Sequence, residues 1–300
     1  MFSRDESARG VPGTPRAPEN TEGAGLQRRA MTILDEIVSA RRRRLEVERK
    51  RSSLAQVEEA ARRHERRDFA AALSGKGLSV IAELKQASPS RGLLRQDYRP
   101  RELAQGYEAA GAAALSVLTE EEYFRGSLTD LIDARDAVSL PVLRKDFILD
   151  EYQVHESVAA GADALLLIVA ALSDDELHGL IGRCERLRIT PLVEVHTGEE
   201  LDRALAAGAR VIGVNNRDLK TMEVNIEISF RLRDRIPPRC LAVSESGIQT
   251  GADLRRLSEA GFGAALIGEH LITADDPGRE LAQMLEDWKL EIRSSKLEAR

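Results

Sequence analysis

The chain has 300 residues, 42% of them hydrophobic and 31% charged, with a formal net charge of −6. One α/β barrel typically takes about 250 residues, so this length and apolar fraction suffice for a single large core. The acidic balance offers no general field for nucleic acid, and no apolar stretch approaches the roughly 20 residues that span a bilayer. The N-terminus lacks the apolar segment of a signal peptide. The cysteines, Cys184 and Cys240, have no CxxC spacing, and the histidines show no HExxH-type spacing, so neither a disulfide framework nor a metal site is expected. This pattern fits a reducing compartment, and the expected location is cytoplasmic.

Residues 1–30 are rich in Gly, Pro, Ser, Thr, Glu and Arg and nearly free of large apolar side chains, which predicts a disordered tail. Met31, just before the first helical pattern, is an alternative start of the chain. That pattern runs through Ile33, Leu34, Ile37, Val38 and Leu45. The basic run Arg41–Arg44, continued by Arg49, Lys50 and Arg51, has Glu46 and Glu48 woven into it. It reads as a solvated helix face, with a local anionic partner as the alternative. A second helical stretch is expected over about 54–73. These helices form an N-terminal extension, 31–75, to a domain reaching residue 300.

From Ser79 onward an internal repeat dominates. Ala109–Ala112, Ala159–Ala162, Ala206–Ala209 and Glu259–Phe262 each end a helical pattern with a glycine and lead into an apolar run. A glycine just past a helix end supplies a left-handed residue before the next strand. With four intervening runs there are eight apolar segments, starting near 79, 114, 141, 164, 191, 211, 241 and 264. Helix-length connectors make these strands parallel, and their almost unbroken apolarity fits burial on both faces. The expected fold is an α/β protein, a single (β/α)8 TIM barrel with an N-terminal helical extension. An open doubly wound sheet is the rival, weakened because no GxGxxG fingerprint follows the first strand.

In such a barrel the active site lies where the strands end. Reading each strand to its end collects polar groups: Glu83 and Lys85 on the first, Lys145 on the third, Glu194 on the fifth, Asn215 on the sixth, Glu245 on the seventh. Alternation puts Glu83 and Lys85 on one face, and likewise Gly213 and Asn215. Each charge alone could belong to a solvated ion-pair ring at the barrel mouth. Lys85, Lys145 and Glu194 converging on one rim point instead to a site, because charge at the end of an apolar strand is costly unless paired or used. The glycine turns Ser246-Gly247-Ile248 and Gly268-Glu269 follow the last two strands, where these barrels commonly hold phosphate on backbone N–H groups.

Six segments carry a family resemblance: Ile81–Ser90, Leu115–Thr119 with Phe124–Ser127, Pro141–Ile148, Leu192–His196, Gly213–Leu219 and Ser244–Ile248. Together, over about residues 31–290, they resemble the indole-3-glycerol-phosphate synthase family. The resemblance implies a lyase of tryptophan biosynthesis that uses no cofactor and no metal. Its sugar-phosphate substrate, 1-(2-carboxyphenylamino)-1-deoxyribulose 5-phosphate, becomes indole-3-glycerol phosphate, CO2 and water. It further implies Lys145 as the acid that protonates the ketone oxygen and Glu194 as the base assisting dehydration. Asn215 would orient that base or a substrate hydroxyl. Lys85 would bind the substrate carboxylate or act as a second acid, and Glu83 would hold these groups in register.

Also by resemblance, Phe124, Phe147, Leu219 and Ile248 wall a slot for the aromatic ring. Arg217 and Glu245 are substrate-binding groups. Ser88, Ser246, Gly247, Gly268 and Glu269 map to the phosphate end, Glu269 through its backbone N–H because its carboxylate would repel the anion. Arg144 is structural. Contact with other tryptophan-pathway enzymes is a further expectation; nucleic acid and membrane are not expected partners. Glu120, Ser157-Val158 and Asn225 depart from the family pattern, which leaves loop geometry and helix surface pairing open.

Three rivals stand beside this reading. A class I aldolase would use a strand lysine as a Schiff-base nucleophile. A phosphoribosylanthranilate isomerase would need a cysteine near the first strand. A non-catalytic barrel would have no use for buried charge.

Overall fold

The computed structural model describes residues 31–62, 65–75, 77–218 and 221–298, with side chains as far as Glu291. The tail expected over 1–30 and the slot residue Leu219 lie outside the described residues. Eight strands form the barrel: β1 (Ser79–Leu84), β2 (Ala114–Leu118), β3 (Val142–Lys145), β4 (Ala164–Ile168), β5 (Thr190–Val195), β6 (Val211–Asn215), β7 (Leu241–Glu245) and β8 (Ala264–Ile267). They close in the order β1-β8-β7-β6-β5-β4-β3-β2, every pair parallel. The closure excludes the open sheet. Each strand begins within one residue of the position expected from the apolar runs.

The helices are α1 (Ile33–Arg51), α2 (Leu54–Ala61), α3 (Phe69–Leu73), α4 (Pro100–Ala110), α5 (Leu128–Ala137), α6 (Glu151–Ala159), α7 (Asp174–Leu187), α8 (Gly198–Ala206), α9 (Glu227–Arg233), α10 (Gly251–Glu259), α11 (Glu269–Ile272) and α12 (Pro277–Glu298). The four repeat glycines, Gly111, Gly161, Gly208 and Gly261, all have φ between 87° and 98°. They turn the chain out of α4, α6, α8 and α10 into the following strands. Among the described residues no helix is long and apolar enough to cross a membrane.

Alternation along the strands creates two cores. Val80, Ala82 and Leu84 of β1 face the helical shell, while Ile81 packs inside the barrel with Leu143, Leu166, Leu192, Val243 and Leu266. Phe69 and Leu73 of α3 join this inner cluster and are completely buried. Burying each such side chain contributes about 2 kcal/mol. Ile37 of α1 joins the same cluster beside Phe147 and Ile168. The first helix therefore packs on the C-terminal end of the barrel interior, started by a Thr32–Asp35 capping box.

Three expectations change. The helix expected over 54–73 is two helices, α2 and α3. Arg67 donates its backbone N–H to Asp163 at 2.7 Å and Asp68 caps α3, so tertiary partners interrupt a segment of good helix propensity. The basic run is not uniformly solvated: Arg41 is 5% exposed and pairs with Glu48 at 2.9 Å, Asp146 at 3.6 Å and Glu156 at 3.8 Å. Arg42, Arg44 and Arg49 pair with Glu176, Glu121 and Asp150 on the barrel. Ser157 and Val158 are fully buried rather than surface positions, and the Ser157 hydroxyl accepts from Arg144 at 3.1 Å.

Candidate active site

The inward-facing polar residues meet at the C-terminal ends of the strands. Lys145 ends β3, and its ammonium lies 3.0 Å from Glu245 of β7 and 3.4 Å from Glu194 of β5. Lys85, just beyond β1, pairs with Glu83 at 2.8 Å. Asn215 ends β6, in register with Glu245 across the β6–β7 pair. Its side-chain oxygen accepts from the Arg217 backbone N–H at 3.0 Å and from the Ser246 hydroxyl at 2.9 Å. That fixes the amide orientation and turns its NH2 group to Glu194.

The balance of charge sets the proton affinities. Three buried carboxylates, Glu83, Glu194 and Glu245, share two ammoniums, Lys85 and Lys145. Burial opposes ionisation of Lys145, but Glu245, Glu194 and Glu83 together outweigh it and hold the ammonium protonated well above the ordinary lysine range. Burial likewise opposes Glu83, yet Lys85 and Lys145 keep it below the usual carboxylate range. Against burial, Lys145 and His196 bring Glu194 down to about 2. Glu245 takes the opposite course: burial and the negative charge of Glu194 and Glu83 push it up to about 7 despite Lys145. The surplus negative charge of the cluster is relieved at Glu245, where a proton is most readily held.

Around this cluster lies a pocket of about 360 Å³. One wall is apolar: Phe124 and Phe147, with ring centroids 6.4 Å apart, are joined by Ile33, Leu34 and Ile37 of α1 and by Ile248. Glu120 organises the loop that presents Phe124. Its buried carboxylate accepts the backbone N–H groups of Glu122, Tyr123 and Phe124 at 3.0, 2.8 and 3.1 Å, so the departure from the family pattern yields a well-bonded turn.

At the other end lie Ser88, Ser246, Gly247, Gly268 and Glu269. Ser246 and Gly247 are consecutive left-handed residues, with φ of 70° and 77°. A Cβ on Gly268 would come within 2.2 Å of Glu83, so this position must stay bare. The Glu269 carboxylate bridges Arg91 at 2.7 Å and Arg217 at 3.2 Å, which neutralise it.

Arg144, one residue before Lys145, faces outward and is 1% exposed. It pairs with Asp146 at 2.8 Å and Glu156 at 2.9 Å and donates to Thr119 at 3.1 Å. It thus braces the turn that carries Lys145 and Phe147.

Every sequence-predicted site residue that is described lines this one pocket. Sequence reasoning missed Arg91, the apolar side chains of α1, and His196, which touches Glu194 and Glu200. It placed Glu245 among binding groups rather than against Lys145. The Leu192–His196 motif held the one available signal for His196, a polar residue on the same strand face as Glu194.

Comparison with known proteins bears on the fold and the family. The barrel is similar to a mandelate oxidase variant with benzaldehyde, at 17% identity and TM-score 0.54 over 78% of this chain and 92% of that one. It is also similar to a structure titled native KDPGal, at 17% identity and TM-score 0.53 over 73% and 98%. At these identities the likeness concerns the fold alone. Closer relatives are named indole-3-glycerol phosphate synthase. The one from Mycolicibacterium vanbaalenii is 50% identical over 85% of this chain and 94% of its own. That from Chloroherpeton thalassium is 50% identical over 82% and 96%, and that from Rhodococcus jostii 52% over 73% and 81%. A family model described as indole-3-glycerol phosphate synthase matches residues 34–284. The chain belongs to the indole-3-glycerol phosphate synthase family.

Proposed function

We propose that this protein converts 1-(2-carboxyphenylamino)-1-deoxyribulose 5-phosphate to indole-3-glycerol phosphate, CO2 and water, as a cytoplasmic enzyme of tryptophan biosynthesis. One observation carries the reading. A partly buried ammonium, Lys145, stands between Glu194 and Glu245 in a pocket with an apolar aromatic wall at one end and two glycine turns at the other.

The substrate has an aromatic ring, a ketone and a phosphate, and this pocket has a place for each. Phe124, Phe147 and Ile248 receive the ring; Ser88, Ser246, Gly247 and Gly268 receive the phosphate on hydroxyls and backbone N–H groups, with Arg91 and Arg217 adding positive charge. Holding both ends folds the chain so that the ring carbon bearing the carboxylate reaches the ketone carbon. As that bond forms, the ketone oxygen gains charge and takes a proton from Lys145. Loss of CO2 returns an electron pair to the ring. Hydroxide then leaves the former ketone carbon with a second proton from a lysine. Glu194 removes a proton from the neighbouring methylene, and the indole double bond forms.

Lys85 meets the substrate carboxylate or supplies the second proton, Glu83 keeps it in place, and Asn215 orients Glu194. Glu245, which also lines the pocket, lies against Lys145, and its affinity near pH 7 suits it to return protons to that lysine. An aldolase-type mechanism needs Lys145 as a free amine, which the three surrounding carboxylates oppose. Docking of other pathway enzymes on α1 gains little from Arg41, Arg42, Arg44 and Arg49, which are already paired within the chain.

The test is a fluorescence assay for indoleglycerol phosphate. Lys145→Ala should lose roughly 10³-fold in turnover while keeping its circular dichroism spectrum. Near-normal turnover, or borohydride trapping of substrate on Lys145, would refute the assigned role.

A further inference from the structure

We propose that His196, locked by Glu200, is a positioning residue that holds Glu194 with one oxygen fixed and the other presented to Lys145 and the pocket. This rests on the reading of Glu194 as the base.

His196 follows β5 two residues after Glu194 and so leaves the strand on the same face. Its Nε2 lies 3.3 Å from Oε1 of Glu194, while Lys145 approaches Oε2. Its other nitrogen, Nδ1, lies 3.0 Å from Oε2 of Glu200, and that same oxygen accepts the His196 backbone N–H at 2.7 Å. Glu200 is itself fixed in the first turn of α8, where its backbone N–H donates to the N-cap Thr197 at 3.2 Å. A rigid helix end is thereby connected, through one carboxylate and one imidazole, to the reacting carboxylate.

Both nitrogens lie within ion-pair distance of a carboxylate, Nδ1 in a hydrogen bond to Glu200 and Nε2 close to Glu194 but not aligned for a hydrogen bond in this conformation. The ring is an imidazolium, in keeping with its affinity, raised against burial by Glu194 and Glu200 to about 10. It therefore cannot serve as the base. Its charge is matched by Glu200, and its work is geometric. Without it, both oxygens of Glu194 could close on Lys145 as a two-pronged ion pair, drawing acid and base away from the substrate together. The charged groups facing His196 are Glu194 from β5 and Glu200 from α8, with Lys145 of β3 beyond Glu194.

The experiment follows turnover against pH in the full-length protein and, in parallel, reads the ring nitrogens of His196 by 15N NMR. His196→Ala should lower kcat roughly 100-fold with KM changed less than about threefold, since misplacement of a base affects the chemical step. His196→Gln, which can donate to Glu194, should recover at least about tenfold of that loss. Glu200→Ala should lower kcat roughly tenfold with KM little changed, because the ring then loses the carboxylate that orients it.

In the wild type both ring nitrogens should remain protonated at pH 8. A ring without hydrogen on Nε2 at pH 7, or an unchanged kcat in Glu200→Ala, overturns the proposal, and this variant carries the test if His196→Ala fails to fold. Glu194→Gln separates the two claims. If it retains turnover, the base has been misassigned; if it is inactive while His196→Ala turns over normally, only the positioning role falls.

Discussion

Glu245 has room for its side chain because residue 213 has none. A Cβ there would lie 2.0 Å from the Glu245 Oε1 and 3.3 Å from Leu192. Contacts that short force a shift, and among the described residues Glu245 is anchored by its ion pair with Lys145. Gly213→Ala should therefore push Glu245 off Lys145 and reduce kcat roughly 10- to 100-fold, with a smaller effect on KM. Steady-state kinetics with a crystal structure of the variant checks this; unaltered kcat with Glu245 in place would show that Leu192 gives way instead. Lys85, Lys145, Glu194 and Asn215 were legible in the sequence because each stands at the polar end of an apolar strand, and the resemblance, not alternation, singled out Lys145 over its neighbour Arg144. The role of Glu245 was not, since its opposition to Asn215 depends on the β6–β7 register. Nor was the Arg91–Glu269–Arg217 bridge, which joins loops far apart in the chain.

At the scale of elements, α1 serves the site both as a wall and through a buried ionic joint. Ile33, Leu34 and Ile37 line the pocket, and one turn further on Arg41 reaches Asp146 and Glu156, the same carboxylates that Arg144 holds. Asp146 lies between Lys145 and Phe147, so the seat of α1 and the position of Lys145 share one charge network. Removing one partner of a buried pair typically costs about 3–5 kcal/mol, because the remaining charge is stranded. Arg144 still neutralises part of this network, which puts Arg41→Met near the lower end, about 3 kcal/mol. The expected signs are faster hydrogen exchange in residues 33–51 and a KM raised roughly tenfold, the cost of losing one wall. Exchange as slow as in the wild type would mean that apolar packing alone seats the helix. Periodicity made α1 itself readable, but not where it docks, since an apolar face does not specify its partner. The break between α2 and α3 was unreadable for a similar reason: local propensity favours one helix, and the Arg67–Asp163 bond beside the break is non-local.

The barrel as a whole accommodates a carboxyl group whose ionisation the fold opposes. In the unfolded chain Glu245 would titrate near the ordinary 4.5; in the folded protein it is pushed up to about 7. Between those values the native state binds more protons than the unfolded state, so this residue lowers stability as pH rises, and the full penalty is present above pH 7. Glu194 has the opposite sign: its affinity is depressed to about 2, so its stabilisation is present above the ordinary carboxylate range and is lost only as pH falls toward 2. The two effects therefore occupy different pH windows and can be separated. Glu245→Gln removes the ionisable group from both states, and its advantage over the wild type should be on the order of 3 kcal/mol at pH 8, shrinking to under about 1 kcal/mol at pH 5. Urea denaturation of both proteins across that range measures the gap, alongside the expected loss of turnover. A gap independent of pH would mean that Glu245 is ionised throughout in the folded barrel, and that the proton assigned to it resides elsewhere among Glu83, Lys85, Lys145 and Glu194.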